Sequence, residues 1–198
     1  KQRPIKFPHV EYFLALEADL QTISRYVEIS EANYKTYSIE LDRLLLAIGA
    51  EIDTVAKAIC LRLSPDRKIH NMGTCRSIIC GKYPHIIDIT VALPRYGIEI
   101  VPWSQWRAGR APDWWDAFTR IKHQRGESYA DANLNHVLRS LAALYVLLIY
   151  LYPKGFALRE FDREPVIFAL HRQYGGGRFV FGDPYNIPDL TQNDLLGR

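Results

Sequence analysis

Cysteine is scarce in this chain: Cys60, Cys75 and Cys80 are its only three in 198 residues. That number is odd and too small to staple a domain of this size, which excludes a disulfide-built secreted fold and sets the expectation of a reducing, cytoplasmic compartment. Long apolar runs are lacking as well. The longest, Leu141–Tyr152, has 12 residues against the about 20 that cross a bilayer, so it predicts a buried core helix and no membrane span. Lys1 to His9 carries charges and two prolines without an apolar stretch, and no secretory signal is expected from it. Charge of one sign is missing too: 25 Lys and Arg against 22 Asp and Glu leave a net +3, well short of the balance that announces nucleic-acid binding by itself. No P-loop, dinucleotide-binding glycine fingerprint or nucleophile elbow occurs. Gly175-Gly176-Gly177 lies between strand-like runs and lacks the following helix that phosphate binding requires. No internal repeat is present.

What remains is an ordinary globular composition, 48% hydrophobic and 24% charged, long enough for one domain with a core. Phe13, Leu16, Leu20, Ile23 and Val27 recur at steps of three and four, with Glu17, Asp19, Gln21 and Arg25 on the other face. This predicts an amphipathic helix from about Val10 to Glu28. A second helix is predicted from near Thr36, on the stripe Leu41, Leu44, Leu45, Ile48, Ile52, Val55 and Ile59, to end before Pro65. The pattern dissolves between Asp66 and Lys82. Ile87, Ile89, Val91 and Leu93 then alternate with Asp88, Thr90 and Ala92, and after the turn Pro94-Arg95-Tyr96-Gly97 the run Ile98–Val101 is again extended, predicting a β-hairpin near 86–101.

Pro112-Asp113 opens a short third helix closed by Gly126, and a fourth runs from about Ala130 to Tyr152, apolar all round in its second half. The expected fold is mainly α: a four-helix bundle-like core over 1–155 with an inserted β-hairpin, and an extended C-terminal segment over 156–198. That segment carries only weak strand runs, Val166–Leu170 and Arg178–Phe181.

Four groups of residues could carry chemistry. Arg120, Lys122, His123 and Arg125 fall within six positions at the end of the third helix. There a neutral His123 could take a proton from a ribose hydroxyl while a guanidinium holds the phosphate, which is metal-free RNA cleavage. The ordinary alternative is that the cations offset the helix dipole. Arg120 and His123 share a face of a regular helix, whereas His123 and Arg125 are about 200° apart unless the helix unwinds.

Glu51 or Asp53 on the second helix could orient His123 across a cleft; alternatively Asp53 pairs with Lys57 at i,i+4, worth about 0.2–0.5 kcal/mol. His70, Cys75, Cys80 and His85 are evenly spaced potential zinc ligands, although Ile78-Ile79-Cys80 reads equally well as core. Finally, Trp103, Trp106, Trp114 and Trp115 interleave with Arg107 and Arg110. Aromatics so flanked can stack single-stranded bases, with Trp106, Arg107 and Arg110 as the binding set, or serve as packing anchors. No cofactor is expected.

The stretches Trp114–Arg125, Ala132-Asn133-Leu134-Asn135, Thr36-Tyr37-Ser38-Ile39-Glu40 and Glu51–Lys57 resemble a family of small bacterial helical proteins of unassigned function, over roughly residues 10 to 152. More remotely, two long helices followed by a polar Arg/His segment and a further long helix are similar to the HEPN superfamily. That resemblance implies nucleic-acid interaction, metal-independent ribonuclease activity of the toxin or phage-defence type, and a homodimer; other members are non-catalytic partners. The HEPN signature is an arginine, four to six residues, then a histidine. Here the candidate region reads Arg120-x-x-His123 or His123-x-Arg125, and the stretch with the right spacing, Arg3 to His9, precedes the first expected helix. Two readings follow: an HEPN-like nucleic-acid-interacting protein that cleaves RNA, and a binding or interaction module whose basic patch meets RNA, DNA or an acidic protein partner without turnover.

Overall fold

The computed structural model describes residues 6–174, 186–191 and 193–194. Within them the chain is mainly helical with one small sheet. Helix α1 spans Pro8–Ile23 and α2 spans Ile39–Leu63. Ser38 caps α2, its hydroxyl accepting from the Leu41 N–H at 3.2 Å. The stripe from Leu41 to Ile59 is buried as its spacing requires.

Helix α1 stops earlier than its periodicity suggests, where Thr22 and Ser24 turn their hydroxyls back onto the carbonyls of Ala18 and Gln21. Its Glu17, expected on the polar face, is instead buried. It continues the inward row Val10, Phe13, Leu14, Leu20.

The polar stretch after α2 contains a helix that the sequence pattern did not show, α3 (Met72–Lys82). Asn71 caps it through a 3.0 Å bond from the Thr74 N–H, and Met72, Cys75, Ile78 and Ile79 form a single narrow buried row. A short helix with so thin a stripe is easily lost among Arg76, Ser77 and Gly81. The expected extended run also starts late, because Pro84 opens a 3₁₀ turn over Pro84–Asp88. The hairpin itself forms: β1 (Val91–Leu93) pairs antiparallel with β2 (Ile98–Ile100), and Gly97 takes the positive φ of +65° in the turn.

Helix α4 spans Asp113–Ser128 and lies so close to α2 that a Cβ at Gly49 would fall 2.3 Å from the Phe118 ring. Gly126 does not close it. The backbone instead breaks at Gln124 (φ −141°, ψ 45°) and then resumes. Helix α5 (Leu134–Leu151), capped by Asn133, is the axis of the fold, and 14 of its 18 residues are buried. It is apolar and long enough to pass for a membrane span by composition, but 78% of it lies inside the protein, the signature of a core helix.

After the short α6 (Pro153–Ala157) the chain returns to the sheet, where β3 (Ala169–Leu170) pairs antiparallel with β1. Glu17 fastens this return: its carboxylate accepts the backbone N–H groups of Val166, Ile167 and Phe168 at 2.9, 2.7 and 3.1 Å. Burial nevertheless dominates and raises its pKa. The outer sheet face carries the small Ala92 and Ala169, leaving a cavity of about 870 Å³ beside Phe156, Phe161 and Arg159. Residues 178–181 and the triple glycine lie outside the described residues.

Candidate nucleic-acid interface

The sequence-selected basic segment ends α4, and the structure divides its four members between two ion-paired arginines and two groups without an ion pair among the described residues. Arg120 donates from Nε to Asp131 Oδ2 at 2.7 Å, an interaction that raises its already high pKa and keeps it charged. Arg125, carried past the break at Gln124, places Nη2 3.2 Å from Asp42 Oδ2 on the first turn of α2. Between them Lys122 lies 5.8 Å over the Phe118 ring. His123 is exposed, with no hydrogen-bond or ion-pair partner among the described residues. Because the backbone leaves helical geometry at Gln124, the angular relation of a regular helix does not relate His123 to Arg125.

The expected carboxylate partner of His123 does not form. Glu51 accepts from His9 Nδ1 at 2.6 Å, and Asp53 pairs with Lys57 at 2.5 Å. Both are too far along α2: at about 1.5 Å of rise per residue, Glu51 lies roughly 14 Å beyond Asp42, the position that meets the end of α4. Nor does the segment border the 870 Å³ cavity, whose lining includes none of residues 120–125. Arg3, the other half of the Arg3–His9 spacing, lies outside the described residues.

The tryptophan group resolves into packing. Trp103 donates from Nε1 to the Ala143 carbonyl at 3.2 Å and Trp114 to that of Pro102 at 3.0 Å. Trp106, only 4% exposed, packs on Trp103 at 4.0 Å between ring centroids, so it cannot stack a base. Arg107 is paired with Asp88, and Arg110 remains exposed on the rim. The four potential zinc ligands are dispersed as well. Cys75 is buried against Cys60, and burial raises the Cys80 thiol pKa. His70 is exposed and His85 binds Asp189 at 2.7 Å. Among the described residues no group of three or more His, Cys, Asp or Glu side chains is placed to hold a metal ion.

Three residues that sequence reasoning passed over prove central. Asp42, with its side chain 4% exposed, is the buried anchor of Arg125, and its Oδ1 has no partner. It was legible: positions 42, 45, 49, 52 and 56 form one inward face of α2, and a carboxylate there calls for a cation. Asp131 binds Arg120 through its side chain and accepts from His136 Nδ1 through its main-chain oxygen at 2.7 Å. A carbonyl oxygen only accepts, so His136 donates to it from Nδ1.

The α4–α5 junction therefore holds anchored guanidinium groups with N–H donors to spare, Lys122 and His123 without ion-pair partners among the described residues, and a histidine whose Nδ1 is held by the Asp131 carbonyl. No family model, no curated protein and no solved structure matches this chain.

Proposed function

We propose that this chain is an HEPN-like nucleic-acid-interacting protein that binds RNA through the basic end of α4 and does not cleave it there. The observation that carries this reading is the exposure of Lys122 and His123 between two arginines whose positions are fixed by Asp131 and Asp42. Pre-positioned guanidinium forks suit phosphate contacts. A solvated histidine with no carboxylate behind it is not organised as a general base.

The test is incubation with labelled single-stranded RNA in EDTA, followed by native and denaturing gels. The expected result is a salt-sensitive shift without cleavage, weakened in Lys122→Ala and His123→Ala. Intact RNA with no shift at any salt concentration contradicts it.

His136 favours cleavage as a second reading. Its Nδ1 and the Arg120 guanidinium are held by the same residue, Asp131, which brings the two side chains to one place. Metal-independent cleavage that survives His123→Ala but is lost in His136→Ala and Arg120→Ala would establish that reading. The homodimer implied by the HEPN resemblance is tested by the solution mass.

A further inference from the structure

The tryptophans expected to stack bases are buried, yet the basic end of α4 has exposed aromatics beside it. Tyr37 is 51% exposed and meets the half-buried Tyr129 edge to face, at 5.5 Å between centroids and 85° between planes. Ile39, next to this pair in the chain, is also exposed. Single exposed apolar side chains are normal on a protein surface, but this pair is held in place by backbone. Tyr37 forms a β-bridge to Asn133, and the Leu134 N–H donates to the Thr36 carbonyl at 2.9 Å. The Tyr37 backbone is thus fixed to the start of α5, and its ring rests against that of Tyr129.

Their position relative to charge is specific. Tyr129 follows α4 immediately and precedes Asp131, the anchor of Arg120; Tyr37 precedes the first turn of α2, where Asp42 anchors Arg125. Lys35 and Lys122 on the same two segments have no acidic partner among the described residues, Glu40 is taken up by Arg43, and Glu31 and Glu127 are the exposed carboxylates that these segments set against the two lysines. An exposed ring on segments that also carry cations suits single strands, whose bases are free to stack, whereas duplex bases are already stacked.

We infer that Tyr37, supported by Tyr129, is a base-stacking platform that makes single-stranded RNA the preferred ligand of this surface. The inference rests on the RNA-binding reading above and adds to it a preference for unpaired bases.

The test is fluorescence anisotropy with one labelled oligoribonucleotide, free and annealed to its complement, against the wild type and Tyr37→Ala, Tyr37→Leu, Tyr37→Trp and Lys122→Ala variants. The single strand should bind more tightly than the duplex. Tyr37→Ala and Tyr37→Leu should each weaken single-strand binding on the order of tenfold with the salt slope unchanged, and Tyr37→Trp should retain it. Tyr37→Leu keeps an apolar contact on Tyr129 without the π-face, so it separates stacking from packing, and circular dichroism checks that each variant is folded. Lys122→Ala should instead lower the salt slope. Equal affinity for strand and duplex, with no effect of Tyr37→Leu while Lys122→Ala still acts, overturns the platform and leaves the basic interface standing. Absence of binding to either RNA overturns both.

Discussion

Replacing Arg125 with alanine separates a structural role for this residue from a purely ligand-binding one. Its Nη2 is 3.2 Å from Asp42 Oδ2, and the two side chains differ sharply in exposure, 58% for Arg125 and 4% for Asp42. The other oxygen, Oδ1, is buried without a partner, so Arg125→Ala strands a buried carboxylate. Breaking a fully buried pair costs about 3–5 kcal/mol, whereas exposed pairs contribute roughly 0.2–1 kcal/mol. With one partner buried and the other solvated, about 1–3 kcal/mol is expected, a fall in Tm of roughly 3–10 °C for a chain of this size. Asp42→Asn in the Arg125→Ala background removes the stranded charge and should recover part of the loss. The assay is thermal and urea unfolding of the two single variants and the double. An Arg125→Ala protein within about 0.5 kcal/mol of wild type, the scatter of ordinary surface substitutions, or a double variant less stable than Arg125→Ala, refutes the anchoring role.

Glu17→Ala leaves three backbone N–H groups without their acceptor while relieving one buried charge, and a net loss of about 2–4 kcal/mol is expected. Protease cleavage should appear within residues 158–170 before global unfolding. Because burial raises the Glu17 pKa, the proton-linked part of its contribution is fully present below the ordinary carboxyl value and is lost as pH rises through the folded value, leaving the backbone hydrogen bonds. Glu17→Gln should flatten that decline in urea midpoints measured across the acid range. Gly49→Ala drives a methyl into the Phe118 ring and is expected to destabilise by about 1–2 kcal/mol despite the better helix propensity of alanine; Phe118→Leu in the same chain should restore part of it. The Asp189 carboxylate raises the pKa of His85, first through their hydrogen bond. Its NMR titration midpoint should therefore lie above the ordinary histidine value and fall toward it in Asp189→Asn, and equal midpoints would remove this contact from the account.

The two helices that dominate the core were readable because their signals are long: the row from Leu41 to Ile59 and the run from Leu141 to Tyr152 leave no competing period. The hairpin was readable from its turn. Short or exceptional features were not, and each for a physical reason. Helix α3 rests on an asparagine cap and four inward residues. Glu17 looked like a surface carboxylate, because its acceptor role depends on backbone that arrives from Val166 to Phe168, far along the chain. Of the candidate site, the cationic character of residues 120–125 was legible, but their partners were not. Asp42 could be read as a charge on an inward face, whereas the break at Gln124 and the links of Asp131 to Arg120 and His136 are tertiary. The tryptophan cluster shows the converse. Composition placed aromatics beside arginines, and the core claimed the aromatics, Trp103 and Trp114 each finding a carbonyl for its N–H, while the exposed ring came from Tyr37.

If the end of α4 meets nucleic-acid phosphates, RNA binding at this surface must depend on salt. Two lysines without an ion pair among the described residues, Lys35 and Lys122, and two anchored arginines give about two to four phosphate contacts. At about 0.7 per contact for a single strand, a plot of log affinity against log salt should slope at roughly −1.5 to −3. Lys122→Ala should make it shallower by about 0.7. A slope near zero, or one that Lys122→Ala leaves untouched, contradicts the claim.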